Sequence, residues 1–136
     1  MKAEQSSLYR NIELLHLWCI ETFHNVPNQP FVLEDIHLLA ENVVQAQSVV
    51  GMALNAESDM QRLDLLDVVV MSMTNVKSIT KVLTEYTYAA GAGHRCHIIS
   101  RNQRVAFLNA MTQIGAELGR WRNKTVAQIT AAKASE

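Results

Sequence analysis

Proline and glycine are scarce in this chain, two and five among 136 residues. That shortage excludes an all-β architecture, in which a turn recurs roughly every eight to twelve residues. Only two cysteines occur, Cys19 and Cys96, far apart and in no CxxC spacing. A disulfide framework is excluded, and both are expected to be reduced thiols. Charged residues make up 18% and aromatic residues 6%, against 49% hydrophobic. Disorder is therefore not expected, because a single domain of this length can bury one sizeable core without covalent or metal staples. No apolar run reaches the roughly 18 to 20 residues of a membrane span before Glu, Asp, Asn, Gln or Lys interrupts it. The opening residues Met1-Lys2-Ala3-Glu4-Gln5 lead no basic segment into an apolar one. No secretory signal is expected, and a cytoplasmic location follows as the default.

What is present is helical periodicity. Leu8, Ile12, Leu15, Cys19 and Phe23 recur at three- and four-residue spacing, which places them on one face of a helix over Ser7 to His24. The segment Val26-Pro27-Asn28-Gln29-Pro30 breaks the pattern, and Pro30 suits the first turn of a second helix. The second stripe reads Leu33, Ile36, Ala40, Val43, Val44, Val50 and Leu54. Asn55-Ala56-Glu57-Ser58 follows as a turn, with Ser58 as the next cap and Asp59 and Asp64 near the positive end of the helix dipole. Leu65, Leu66, Val69, Met73, Val76, Thr80 and Leu83 form the third stripe, on a long helix to about Tyr88. Its Val68-Val69-Val70 run favours a strand locally, but the surrounding spacing outweighs it. Ala89-Ala90-Gly91-Ala92-Gly93 ends that helix. Ser100-Arg101-Asn102-Gln103 has a capping-box pattern and opens a fourth, with Phe107, Met111, Ile114, Leu118 and Trp121 on one face. The expected fold is all-α, an up-down-up-down four-helix bundle over residues 7–124. Residues 125–136 are expected to fray as a tail.

A second apolar set, Leu14, Leu17 and Trp18 on the first helix and Leu38, Val49 and Met52 on the second, projects away from these stripes. Leaving each large side chain in water forfeits roughly 1.5 to 3 kcal/mol relative to burial, so a protomer interface in a homo-oligomer is expected there. Gly115 and Gly119, one turn apart on the fourth helix, would admit a close backbone neighbour.

Catalytic constellations are weak. Three Glu-x-x-His spacings occur, Glu13/His16, Glu21/His24 and Glu34/His37. A di-metal bundle needs such pairs directed inward beside further inward glutamates, and these fall off the apolar stripes. His94, Cys96 and His97 share one end of the bundle with His24 and His37, so a zinc site is conceivable, but His94-Arg95-Cys96-His97 lacks the usual spacing. Cys19 sits on a core stripe with no base beside it. Gly91-Ala92-Gly93 follows a helix and lacks the Lys-Ser/Thr of a phosphate loop. The methionines read as packing. No enzyme activity, metal or cofactor is expected.

Charge is unevenly distributed. The net charge is −1, yet residues 1–76 carry three basic against ten acidic side chains and residues 77–136 carry nine against three. The basic set on the fourth helix falls at both ends: Arg101 and Arg104 in its first turn, Arg120, Arg122 and Lys124 in its last. Cations at the C-terminal end complement the helix dipole, whereas those in the first turn oppose it and invite a carboxylate or phosphate partner.

The order of Leu8-Tyr9, the Val26-Pro27 break, two long apolar helices and a last helix reading Gln103-Arg104-Val105-Ala106-Phe107 through Ile114-Gly115-Ala116-Glu117-Leu118-Gly119-Arg120-Trp121 resembles the accessory variability determinant proteins of diversity-generating retroelements. More widely, it resembles the four-helix proteins encoded by intervening sequences of 23S ribosomal RNA genes. The resemblance covers about residues 7–124. It implies a barrel-like homo-pentamer that binds the element's reverse transcriptase and its template RNA or cDNA during mutagenic retrohoming, with no chemistry of its own. By position, it makes Arg101, Arg104, Arg120, Arg122 and Lys124 the candidates for nucleic-acid or polymerase contact. The net charge of −1 departs from the strongly basic character of that family and gives contact with the polymerase a larger share. The alternatives are a structural oligomeric adaptor without a nucleic-acid role, and a metal-binding bundle.

Overall fold

The computed structural model describes residues 6–26 and 29–135. Pro27 and Asn28, where part of the expected break falls, lie outside them. The order is α1 (Ser7–Thr22), α2 (Pro30–Leu54), α3 (Asp59–Glu85), β1 (Thr87–Ala89), β2 (Arg95–His97) and α4 (Arg101–Ala134). The fold is all-α in its framework, four helices around one core. Three helix starts follow from capping side chains. Ser6 accepts from Tyr9 N at 3.3 Å and Ser58 from Gln61 N at 3.1 Å. Ser100 and Gln103 complete a reciprocal capping box, at 3.2 Å to the Ser100 hydroxyl and 2.8 Å to the Gln103 side chain. Pro30 occupies the first turn of α2, where its missing N–H removes no helical bond.

Polar links fix the directions of the helices. Gln47 donates to Glu13 at 3.5 Å, and His37 shares a groove with Cys19 and Phe23, which runs α2 antiparallel to α1. Asn75 bonds Asn42 at 3.2 Å, and the Tyr86 hydroxyl just past α3 donates to Asp35 at 3.3 Å, which sets α3 antiparallel to α2. Asn11 donates to Glu117, and the Trp18 indole N–H donates to the Gln103 carbonyl at 3.0 Å, which sets α4 antiparallel to α1. Each helix packs on two neighbours, in the ring α1, α2, α3, α4. The bundle is up-down-up-down.

Six buried positions of α3 alternate three and four apart, Leu66, Val69, Met73, Val76, Thr80 and Leu83, with Ser72 buried beside them, the seam of helices that cross at a shallow angle. In α1 the buried set is Leu8, Ile12, Leu15, Cys19 and Thr22; the first four are those the periodicity predicts, whereas Phe23, the last of that stripe, is half-buried just past the helix. In α2 the phase differs from the sequence reading. The buried residues are Val32, Leu39, Val43, Ala46, Val49, Val50 and Ala53, while Val44 is exposed. The reason is that the polar residues Glu34, Asp35, His37, Glu41, Asn42, Gln45 and Ser48 occupy one side of α2 and leave a wide apolar arc on the other, within which the spacing fits more than one centre. Packing selects one, with the small Ala46 and Ala53 fully buried.

Two further differences concern the chain after α3. Tyr88 leaves the helix for β1, which pairs antiparallel with β2, Tyr88 opposite Cys96. Gly91, Ala92 and Gly93 have φ of 86°, 52° and 78°, left-handed values that close the hairpin and strain Ala92 alone. Ile98 and Ile99, buried just after it, close that end of the core. The expected frayed tail is instead helix to Ala134, with Thr125 buried and its hydroxyl bonded to the Trp121 carbonyl at 2.9 Å. This is a continuation of the α4 seam from Leu118 and Trp121. Among the described residues, no helix is long and apolar enough to cross a membrane.

Candidate nucleic-acid interface

The five cations nominated on α4 do not form one patch. Arg104 and Arg120 are sixteen residues apart, roughly 24 Å at 1.5 Å per residue. Arg101 and Arg104 are exposed in the first turn, whereas Arg120 and Lys124 are exposed within the helix rather than in its last turn, because α4 continues to Ala134. Arg120 lines a cleft with Ser7, Asn11 and Glu117 beside the start of α1. Arg122 pairs within the fold, its guanidinium 2.7 Å from the Asp67 carboxylate on α3, with both side chains still partly exposed.

The structure joins Arg104 to residues that the sequence reading counted but did not nominate. A groove of about 190 Å³ between α3 and α4 is lined by Lys77, Thr80, Lys81 and Thr84 from α3 and Arg104, Phe107 and Leu108 from α4. Lys77 and Lys81 are one helical turn apart and so share a face. Arg104 reaches the same groove because α4 runs antiparallel to α3. Among the described residues, the ion pairs are Arg62 with Asp59 and Arg122 with Asp67, so none of the three groove cations has a carboxylate partner. The i, i+4 spacing of Lys77 and Lys81 was visible in sequence. Its connection to Arg104 was not, because it depends on which helices are neighbours.

Of the expected interface set, Leu14, Leu17, Leu38 and Met52 are exposed. The other two are corrected. Trp18 packs against Phe23 and Phe107, with ring centroids at 5.9 and 5.1 Å, and its indole bonds Gln103 on α4. It is a bridge between helices of one subunit. Val49 is only 9% exposed and belongs to the core, a consequence of the phase of α2.

Neither cysteine is bridged. Burial pushes the Cys19 thiol up to about 12, so it is protonated and poorly nucleophilic at neutral pH. Among the described residues, no three His, Cys, Asp or Glu side chains converge as a metal centre needs. His37 lies with His16 in an α1–α2 groove, and His97 lies with Glu21 at the hairpin end. Burial, followed by the Asp35 carboxylate and its hydrogen bond, raises the Tyr86 phenol above its ordinary range, so it remains a donor to Asp35. Compared with known proteins, the chain matches no family model, no curated protein and no solved structure.

Proposed function

We propose that this chain is a non-catalytic accessory subunit of a diversity-generating retroelement. It assembles as a homo-oligomer, a pentamer in the arrangement that the resemblance implies, and holds template RNA or cDNA beside the reverse transcriptase. The observation that carries the reading is the unpaired cationic groove of Lys77, Lys81 and Arg104, in a chain whose net charge is −1. Three uncompensated cations in one groove repel one another, and an anionic partner relieves that repulsion. Exposed Leu14 and Leu17 on α1 and Leu38 and Met52 on α2 supply the surface for other copies.

Co-expression with the reverse transcriptase encoded beside its gene tests the reading. The two proteins are expected to co-purify with RNA, and binding is expected to weaken as salt rises. A locus with no reverse transcriptase and no paired template and variable repeats would overturn it. The structural-adaptor alternative predicts RNA binding that is weak and unchanged on removing Arg101 and Arg104.

A further inference from the structure

Charge of opposite sign sits on different helices of the bundle. Residues 7–54, which supply α1 and α2, hold five acidic side chains against Arg10 alone, whereas α4 holds six basic side chains against Glu117 alone. Glu13 and Glu21 on α1 and Glu34 and Glu41 on α2 are exposed, and among the described residues none of the four is in an ion pair. Leu14, Leu17 and Ile20 of α1 and Val44 of α2 lie among them, 45 to 60% exposed. The outer side of α1 and α2 is therefore an apolar face with an acidic rim. Two such faces brought together would set glutamates against glutamates, and like charges across an interface oppose binding. The complement of this face is apolar and cationic.

We propose that the acidic apolar face of α1 and α2 docks on the outer side of α4 of a second copy. That side carries Arg101 at its start and Arg120 and Lys124 further along, all exposed. Between them the surface is low: Val105 is half-exposed, and Thr112 and Ala116 follow at helical spacing and are exposed. A Cβ on Gly115 or Gly119 would meet nothing within 4 Å. Packing inside the subunit thus requires neither glycine, although glycine weakens a helix interior relative to alanine, and the space beside them admits a helix from outside. Each chain then uses two different faces, and the contact runs head to tail. Such a contact repeats from copy to copy and closes into a ring where the rotation between neighbours permits. The inference deepens the homo-oligomer of the proposed function and rests on it.

Two variants of the full chain, each blocked at one face, test the pairing by light scattering at micromolar concentration. Leu17→Lys with Val44→Lys blocks the α1–α2 face, and Gly115→Trp with Arg120→Glu blocks α4. Each is expected to run as a single 15.2 kDa chain with helical content intact by circular dichroism, while the wild type is larger than two chains. Gly115→Leu alone, which the open space around that residue accommodates, blocks α4 if the pair of changes unfolds it. An equimolar mixture of the two variants is expected to form a species of two chains and nothing larger, since only one intact α1–α2 face and one intact α4 remain to meet. A dimer formed by either variant alone would overturn the inference, showing that a face pairs with its own copy, and would leave the homo-oligomer standing. A mixture that stays monomeric while the wild type assembles would overturn it as well. A wild type that is itself monomeric would overturn both the pairing and the homo-oligomer.

Discussion

Arg122 on α4 donates through Nε to Asp67 on α3 at 2.7 Å, and this contact divides the α3–α4 seam electrostatically. The helices are antiparallel, so the acidic first half of α3 faces the later part of α4, and charge is compensated there. The second half of α3, with Lys77 and Lys81, faces the start of α4, with Arg104, and there it is not. The charge asymmetry of the sequence thus becomes one neutralised stretch and one cationic groove.

The Arg122–Asp67 pair is predicted to contribute little stability, because its side chains are 41% and 48% exposed. A double-mutant cycle with Arg122→Ala and Asp67→Ala should return a coupling below about 1 kcal/mol, fading toward 1 M salt. RNA affinity should respond less to Arg122→Ala than to Lys81→Gln. The reverse order would contradict the division of the seam.

Thr80→Val is predicted to stabilise the free protein. An unsatisfied buried hydroxyl costs about 1–3 kcal/mol, and valine fills nearly the same volume without it. Thermal unfolding followed by circular dichroism should shift upward on the order of 3 to 6 °C for a domain of this size. A lowered midpoint would show that the hydroxyl finds a partner inside the folded chain.

Trp18 ties α1 to α4 through both packing and one hydrogen bond. Trp18→Phe should destabilise by about 1 kcal/mol beyond its loss of area, because the Gln103 carbonyl loses its donor. Trp18→Ala should cost about 3 kcal/mol. Urea unfolding measures both; a Trp18→Phe variant as stable as the wild type would mean that the indole N–H contributes nothing.

Cys19 gives the protein a pH dependence in the alkaline range. Its folded value of about 12 lies above the ordinary 9.0, so between these the unfolded thiol releases its proton while the folded one holds it. Stability from this group is complete below pH 9 and declines as pH rises toward 12. The difference in stability between wild type and Cys19→Ala should therefore narrow across that window. At pH 8 a thiol reagent should modify exposed Cys96 and spare Cys19 in the native state.

Exposed Leu38 and Met52 mark the surface expected to meet another copy. Leu38→Glu with Met52→Glu should reduce the mass in solution, by light scattering, to that of one 15.2 kDa chain, with helical content intact. A wild type already monomeric at micromolar concentration would remove the oligomer from the proposed function.

Much of the framework was legible from spacing. The phases of α1, α3 and α4 follow from Leu8 to Cys19, Leu66 to Leu83 and Phe107 to Leu118, because polar residues flank those stripes and leave one face to bury. Ser58 and the Ser100–Gln103 box announced their helix starts, since capping is a contact between residues three apart. The hairpin was not legible, because strands of three residues are too short to show a period. In α2 the apolar residues Val43, Val44, Val49 and Val50 fit more than one face.

Local interactions are written along the chain, so the sequence by itself determined four helices, the caps of α3 and α4, most of the buried faces and the surplus of cations in the second half. Which cations meet is a long-range matter. Only the antiparallel packing of α3 on α4 placed Arg104 with Lys77 and Lys81, gave Arg122 to Asp67, and drew Trp18 and Val49 inward. Residues far apart in sequence become neighbours only when helices choose their partners, and that choice depends on how whole faces fit together.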